Sequence, residues 1–283
     1  MSDQKNMIMA AALSFLVIVL WQYFLAPPPP DPAVIAAQQQ TQQLQQEGVE
    51  GVPAGPLPTG SVTVPLEQAL AASPRVQIVT PRLTGSISLR GGRVDELRLL
   101  AHRETVDPAS PPVEQLFPYG TENPYYALWG WTPARGAQTG PTPGADTPWT
   151  QEGGDALAPG RPVTLVWDNG AGLVFRRAFS IDDNYMFTIT QSVQNNTGQA
   201  VTLAPYGTVA RHGTPPTIGF YILHEGAIGH FDGTLKEIKY SDMLDFAADP
   251  VEGGPAERVG VNANGWLGFT DKYWMTTLIG GPD

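Results

Sequence analysis

The chain has 283 residues, with 27 acidic and 16 basic side chains, so its formal net charge at pH 7 is −11. An acidic exterior argues against binding nucleic acid or an anionic membrane surface through bulk electrostatics, because those partners are also negatively charged. The absence of cysteine excludes disulfide bonds and thiolate chemistry.

The longest apolar run in the chain covers residues 7–25, which carry no charged side chain. As a helix these residues would be roughly 28 Å long, close to the hydrocarbon thickness of a bilayer. We therefore predict a transmembrane helix over 7–25, preceded by a short cytoplasmic tail over 1–6.

Basic residues near this helix predict its orientation. Lys5 precedes the helix, and the next basic residue is Arg75. Positive charge close to a membrane-spanning segment stays in the cytoplasm, so the chain after residue 25 should lie on the other side. Trp21 and Tyr23 suit the membrane–water boundary, and together with Lys5 they are the predicted membrane-interface residues. The alternative, a cleaved signal peptide, would have an apolar core of only about 7–15 residues, so we favour an uncleaved signal-anchor.

Residues 26–72 have the composition of a linker. Four consecutive prolines over 27–30 favour a stiff polyproline II segment, and a glutamine-rich stretch follows over 38–46. Residues 48–65 are rich in glycine, proline and valine. We predict that this linker is largely disordered.

From residue 73 the composition becomes typical of β-strands and turns. Between two β-rich runs, the triplet Asp168-Asn169-Gly170 favours a tight hairpin, since Asn-Gly accepts positive φ. Phe187, Ile189 and Val193 alternate with polar residues, which predicts a strand with one buried face. Residues 132–159, rich in glycine and proline, resemble a long surface loop. The predicted strands are 76–80, 82–89, 93–100, 113–117, 125–131, 162–167, 173–181, 185–194, 201–211, 219–224, 235–238, 266–269 and 274–279.

Many short strands separated by turns predict a mainly β fold, a β-sandwich over 73–283.

The histidines at 224 and 230, with Glu225 between them, invite a metal-site hypothesis. A zinc-protease motif needs two histidines four residues apart on a helix, whereas these lie six apart in glycine-rich sequence. The spacing favours histidines of a loop and an edge strand. The other histidines, His102 and His212, have no evident partner in the sequence.

Two pairs of adjacent acids, Asp182-Asp183 and Asp95-Glu96, are candidates for acid–base chemistry. That chemistry needs convergent, desolvated carboxylates. Neighbouring residues on a strand point to opposite faces, and the first pair lies in a predicted turn. Both pairs therefore favour surface positions.

A group of aromatic residues could line a groove for a peptide, a glycan or a protein partner, but core packing is the more frequent use of such side chains. Its members are Tyr125, Tyr126, Trp129 and Trp131. We identify no catalytic, cofactor-binding or metal-binding residue, and predict no cofactor and no enzymatic activity.

Three stretches resemble the bacterial YidC-type membrane protein insertases. The first is the start of the chain, DQKN over 3–6 with an apolar helix ending in Trp21-Gln22. The second and third are FRRAFSIDDNY over 175–185 and GWLGFTDKYW over 265–274, which are similar to parts of the family's large periplasmic domain. The combination of the last two is specific, and the resemblance covers nearly the whole chain.

The resemblance implies a β-supersandwich of the galactose-mutarotase type over 73–283. This domain would lie in the periplasm, and the N-terminal helix would anchor it to the bacterial inner membrane. It implies a non-catalytic interaction domain that contacts the Sec translocon and its accessory proteins, nascent inner-membrane proteins and the lipid bilayer, with no nucleic acid. The family's five-helix membrane core, which carries the insertase groove, does not occur in this sequence. The resemblance thus implies a fragment whose sandwich lacks its last strands.

A second hypothesis comes from the fold type alone. Because the implied fold resembles a sugar epimerase, a membrane-anchored periplasmic protein that binds or processes carbohydrates is the alternative. It would need a concave site with clustered histidines and carboxylates, and fold is not itself evidence of such a function.

Overall fold

The structure is a computed structural model that describes residues 63–134, 139–215, 217, 223–250, 252–262 and 265–281. The predicted tail and transmembrane helix lie outside the described residues, as do most of the linker and the interface residues Lys5, Trp21 and Tyr23. Within the described ranges, no helix has the length and apolar character needed to cross a membrane.

The described residues form a mainly β structure with two short helices. The helices are α1 (Leu66–Ala71) and α2 (Tyr240–Met243). The strands are β1 (Arg75–Val79), β2 (Leu83–Ser88), β3 (Arg93–Arg103), β4 (Pro112–Leu116), β5 (Tyr125–Pro133), β6 (Thr150–Glu152), β7 (Ala156–Leu157), β8 (Val163–Asp168), β9 (Leu173–Ile181), β10 (Phe187–Asn195), β11 (Leu203–Arg211), β12 (Gly226–Phe231), β13 (Thr234–Lys239), β14 (Ala248–Asp249), β15 (Gly254–Pro255), β16 (Trp266–Asp271) and β17 (Trp274–Ile279).

The strands make three main sheets. The first has the order β11-β5-β3-β2-β1-β7, with β4 also paired to β3. The second has the order β10-β9-β8-β6, and the third β13-β12-β16-β17. Strands β14 and β15 form a separate two-stranded pair. All of these pairs are antiparallel except that of β1 with β7, which is parallel. Most join consecutive strands, as expected for short strands connected by tight turns, whereas β5 with β11 and β12 with β16 join strands distant in the sequence.

The first and second sheets pack face to face around the main core. Along β9 every second residue from Leu173 to Ile181 is buried, including Phe175 and Phe179, while the residues between them are more exposed. Phe175 meets Trp131 of β5 with ring centroids 5.0 Å apart, and Phe179 meets Trp129 at 5.8 Å. Burial of each such side chain stabilises the fold by about 1.5–3 kcal/mol. The predicted mainly β, sandwich-like fold is therefore confirmed.

Two segments differ from the sequence-based expectation. Helix α1 lies inside the predicted linker, and it belongs to the folded domain because Ala69 is buried and the Val64 N–H donates to the Gly120 carbonyl over 2.9 Å. The segment 132–159 is not simply a surface loop. It contributes β6 and β7, and it buries Trp149, whose backbone N–H donates to the Leu89 carbonyl over 2.8 Å.

Strand β12 was not among the predicted strands, because Gly226 and Gly229 give it a loop-like composition. It is an inner strand, paired with β13 on one side and β16 on the other. The predicted strand over 219–224 falls largely outside the described residues, and His224 precedes β12.

Candidate interaction groove

The histidines considered for a metal site have separate structural roles. His224 Nε2 lies 2.8 Å from the Ala227 carbonyl oxygen. His230 is on the inner strand β12 and stacks on Trp266 with ring centroids 6.3 Å apart. The prediction of an edge-strand position for His230 is thus wrong. In the part of the chain that the structure describes, no group of three or more histidines and acids is arranged to hold a metal ion.

The two remaining histidines do have partners. His102 packs against Trp274, with ring centroids 4.8 Å apart. His212 Nε2 lies 3.1 Å from the Tyr126 hydroxyl, and the two rings stack. Burial lowers the pKa of His212. The Arg93 guanidinium lies over the Tyr126 ring at 5.6 Å, so this cluster is densely packed.

The acidic pairs also differ from one another. Asp182 lies in the predicted turn, where its Oδ1 accepts the N–H groups of Asn184 and Met186 at 2.7 and 2.8 Å. Asp95, predicted to be at the surface, is instead buried and forms an ion pair with Arg75. Both faces of β3 are covered at this point, which sequence alternation alone does not show. Burial raises the pKa of Asp95, and Arg75 opposes that shift.

Arg177 is the most unusual buried side chain, only 1% exposed. Its Nη1 donates to the carbonyls of Gly91 and Gly92 at 3.3 and 2.9 Å, and its Nη2 donates to the Trp129 carbonyl. The guanidinium carbon lies 4.6 Å from the centroid of the Trp149 ring. Burial lowers the pKa of Arg177 to about 9, so it remains charged at neutral pH.

Arg177 therefore joins three segments rather than serving a ligand. Its hydrogen bonds link β9 of the second sheet to the β2–β3 turn and to β5, both of which belong to the first sheet. None of the ion pairs in the described ranges includes it. Sequence analysis missed this residue, although a period of two from Phe175 to Phe179 places it on the buried face.

The structural feature best suited to an interaction is an apolar groove of about 640 Å³, here called the β10–β17 groove. One wall is β10 near residues 187–189, and the other is β17. Its floor comes from the first sheet and includes Leu97, Leu116, Ala127 and Trp129. The groove thus separates the second sheet from the third above a shared apolar floor.

Both walls of this groove are strand edges. All six residues of β17 line it, and so do three consecutive residues of β10. Side chains alternate between the two faces of a strand, so consecutive lining residues mean that the backbone edge borders the space. Of the strands in the described ranges, only β16 pairs with β17 and only β9 pairs with β10.

A second cavity of about 670 Å³ adjoins the groove and shares Trp129, Ile189 and Leu278 with it. Gln191 lines this second cavity and donates from Nε2 to the Tyr206 carbonyl over 3.3 Å. Its Oε1 is buried and has no hydrogen-bond partner among the described residues.

The aromatic group singled out in the sequence divides between core and groove. Tyr125, Tyr126 and Trp131 are buried, which confirms core packing for these three. Trp129 is the exception, since it lines both cavities.

Comparison with known proteins identifies the family. A family model described as the YidC periplasmic domain matches residues 75–283, which is more than half of the chain. The chain belongs to the YidC periplasmic-domain family. Proteins named "Membrane protein insertase YidC" are similar to almost all of it. The protein of Cereibacter sphaeroides is 50% identical over 281 residues, which are 99% of this chain and 44% of that protein.

Two further YidC relatives give the same result. The protein of Dinoroseobacter shibae is 48% identical over 291 residues, covering 100% of this chain and 47% of that protein. The protein of Ruegeria pomeroyi is 47% identical over 293 residues, covering 99% and 48%. This YidC-family chain therefore spans less than half the length of these relatives.

Proposed function

We propose that the chain supplies the N-terminal anchor and periplasmic domain of a membrane protein insertase, which helps inner-membrane proteins insert and fold, alone or with the Sec translocon. The observation that carries the proposal is the family match over 75–283 together with relatives of 47–50% identity that are named as YidC insertases. These names do not support the carbohydrate alternative, and the described ranges hold no cluster of three or more histidines and acids that could hold a metal ion.

In this proposal residues 7–25 anchor the chain in the inner membrane, with 1–6 in the cytoplasm, a linker over 26–72 and the domain over 73–283 in the periplasm. Lys5 fixes the orientation, and Trp21 and Tyr23 lie at the membrane–water boundary. The support is the uncharged apolar run and the absence of a basic residue between it and Arg75.

We assign the periplasmic domain to the galactose-mutarotase type of β-supersandwich. The second and third sheets both approach the same region of the first sheet, which supports this assignment. Trp129 contacts Phe179 of the second sheet, and Gln115 of β4 donates to the Thr276 hydroxyl of β17 over 2.8 Å.

The domain itself carries out no bond-making step in this proposal. Moving polar groups through lipid is costly, and an insertase lowers that cost with a partly hydrated path in its membrane core. The periplasmic domain contributes by docking Sec accessory proteins or nascent inner-membrane proteins. Side chains such as Val106 and Leu244 are exposed apolar groups on which a partner can be mapped.

The experiment is site-specific photo-crosslinking in the intact cell, in the full-length protein. A photoreactive residue replaces Val106 or Leu244, and Asn196, an exposed polar turn residue, is the matched control. We expect crosslinks to translocon accessory proteins or to nascent membrane proteins from at least one apolar position and fewer from the control. Depletion of the protein should also impair insertion of inner-membrane proteins. Normal insertion after depletion, with no crosslink above the control, would refute the proposal.

A further inference from the structure

The turn between β8 and β9 contains the dipeptide Asn169-Gly170, which is a hairpin signal and also a chemically reactive sequence. In such a pair the backbone nitrogen of the glycine can attack Cγ of the asparagine side chain, because glycine has no Cβ to hinder the approach. Gly170 is exposed, has a φ of +68°, and a Cβ built on it would meet no described atom within 4 Å. The glycine side of the dipeptide is therefore open to the reaction.

The asparagine side, in contrast, is held by four hydrogen bonds. Asn169 Nδ2 donates to the carbonyls of Thr139 and Pro141, each at 3.0 Å. Asn169 Oδ1 accepts the backbone N–H groups of Ala171 at 2.8 Å and Leu173 at 3.0 Å. An asparagine amide has two donor hydrogens and an oxygen with two lone pairs, so this side chain is fully engaged.

These contacts oppose the reaction in the folded chain. Attack requires Cγ of Asn169 to approach the Gly170 nitrogen, and the side chain must leave its partners to do so. The Gly170 N–H also donates to Asp168 Oδ1 over 2.8 Å, which fixes the nitrogen in the turn. The reaction therefore proceeds from a locally opened state, and its rate is the rate in an open chain multiplied by the open fraction.

The two carbonyls that Asn169 binds belong to a loop that lies directly on the turn. Thr139 is only 4% exposed, and a Cβ built on Gly140 would come within 3.4 Å of Asn169 Nδ2. Further along the chain, the Thr147 carbonyl accepts the Gly91 N–H over 2.8 Å, a contact that does not involve the turn. What depends on Asn169 is therefore the short loop over 139–141 rather than the whole segment.

We propose that Asn169 is a slow deamidation site and that its conversion releases the 139–141 loop from the turn. The Gly170 nitrogen bonds to Cγ, the Cγ–Nδ2 bond breaks, and the amide group leaves as ammonia with the proton that the nitrogen loses. Water then opens the succinimide ring to give aspartate or isoaspartate. Either product is a carboxylate without an N–H to donate, so the carbonyls of Thr139 and Pro141 lose their donors and face a negative charge.

The first test measures the rate of the reaction. The chain is incubated at mildly alkaline pH, folded in detergent micelles and unfolded in urea, and conversion of Asn169 is followed by peptide mass spectrometry. In urea, the second Asn-Gly pair, at 264–265, reports that the chemistry itself proceeds. We expect conversion of Asn169 to be at least about tenfold slower in the folded chain. A folded rate equal to or above the rate in urea would overturn the proposed gating.

The second test measures the consequence of the reaction with Asn169→Asp as the product. Asn196→Asp is the matched control, because it adds the same charge at an exposed turn residue. We expect amide hydrogen exchange over 139–144 to rise at least about fivefold in Asn169→Asp, with the control and the peptide around Trp149 unchanged. Unchanged exchange over 139–144 would overturn the proposal. So would a rise spread over the whole domain, because Asn169 would then support the fold rather than this loop. The inference stands independently of the proposed insertase function.

Discussion

At the scale of single residues, the domain depends on a buried arginine that has no carboxylate partner among the residues the structure describes. Arg177 donates to three backbone carbonyls from the first sheet and lies against the ring of Trp149. These contacts compensate for the loss of water around the charge, since a buried charge without hydrogen bonds is strongly unfavourable. The residue is thus a cross-link between the two sheets of the main core.

Arg177→Met should lower the free energy of unfolding by roughly 3–5 kcal/mol, because three carbonyls lose their donor. Urea denaturation followed by tryptophan fluorescence measures the change. Arg176→Met is the control: its neighbour Arg176 is on the opposite face and pairs with Glu152 at 3.5 Å, and we expect a loss below about 1 kcal/mol. Equal losses in the two variants would show that Arg177 does not have this role.

His212 provides a residue-scale prediction for acid. Burial lowers its pKa in the folded state, so the unfolded imidazole binds protons more readily. Stability should therefore decrease as the pH falls below about 6.5, the ordinary pKa of histidine. We expect the urea midpoint to fall less between about pH 7.5 and 5.5 in His212→Gln than in the parent chain. The same pH dependence in both chains would contradict this assignment.

At the scale of elements, the third sheet depends on close contact between β16 and β17. Gly268 lies in the middle of β16, opposite Thr277 of β17 and Ile228 of β12. A Cβ at this position would overlap the carbonyl oxygen of Thr276. A glycine inside a strand often marks such a close backbone approach.

Gly268→Ala should therefore destabilise the domain by about 1–3 kcal/mol and speed amide exchange in β17, because the two strands must separate. Gly254→Ala is the matched control, since a Cβ on this β15 glycine meets no atom within 4 Å. We expect its effect to stay within about 0.5 kcal/mol. If both alanine variants unfold at the same urea concentration, the close approach has no energetic importance.

Local patterns in the sequence predicted many of the elements. The Asn169-Gly170 turn and the alternation of apolar residues were sufficient for β8, β9 and β10, because one face of β8 and β9 is buried and one face of β10 is partly buried. Sequence analysis did not predict strand β12, because its glycines are typical of a loop. Its pairing with β13 and β16 depends on residues that are distant in the sequence. The burial of Trp149 was not predicted either, because it depends on contacts between the two sheets rather than on the local sequence.

The candidate site was less accessible to sequence analysis than the fold. Trp129 was considered as a groove residue, but nothing in the local sequence distinguishes it from Trp131, which is in the core. The β10–β17 groove arises because two sheets end above the same part of a third. That arrangement depends on the topology of the whole domain rather than on a motif.

At the scale of the whole molecule, we propose that an N-terminal anchor holds an acidic domain without cysteine outside the cytoplasm. The lack of cysteine means that stability comes from the core and from buried polar contacts such as those of Arg177. It also makes the chain suitable for topology mapping, because any thiol introduced into it is unique within these 283 residues.

The most direct measurement is thiol labelling in intact spheroplasts with a membrane-impermeant maleimide, applied to Ser2→Cys and Val106→Cys. Val106 is chosen because its side chain is fully exposed. We predict that Val106→Cys is labelled at once, that Ser2→Cys is labelled only after the membrane is permeabilised, and that both chains stay in the membrane fraction after a carbonate wash. Protection of Val106→Cys in intact spheroplasts, or a soluble chain beginning after residue 26, would contradict it.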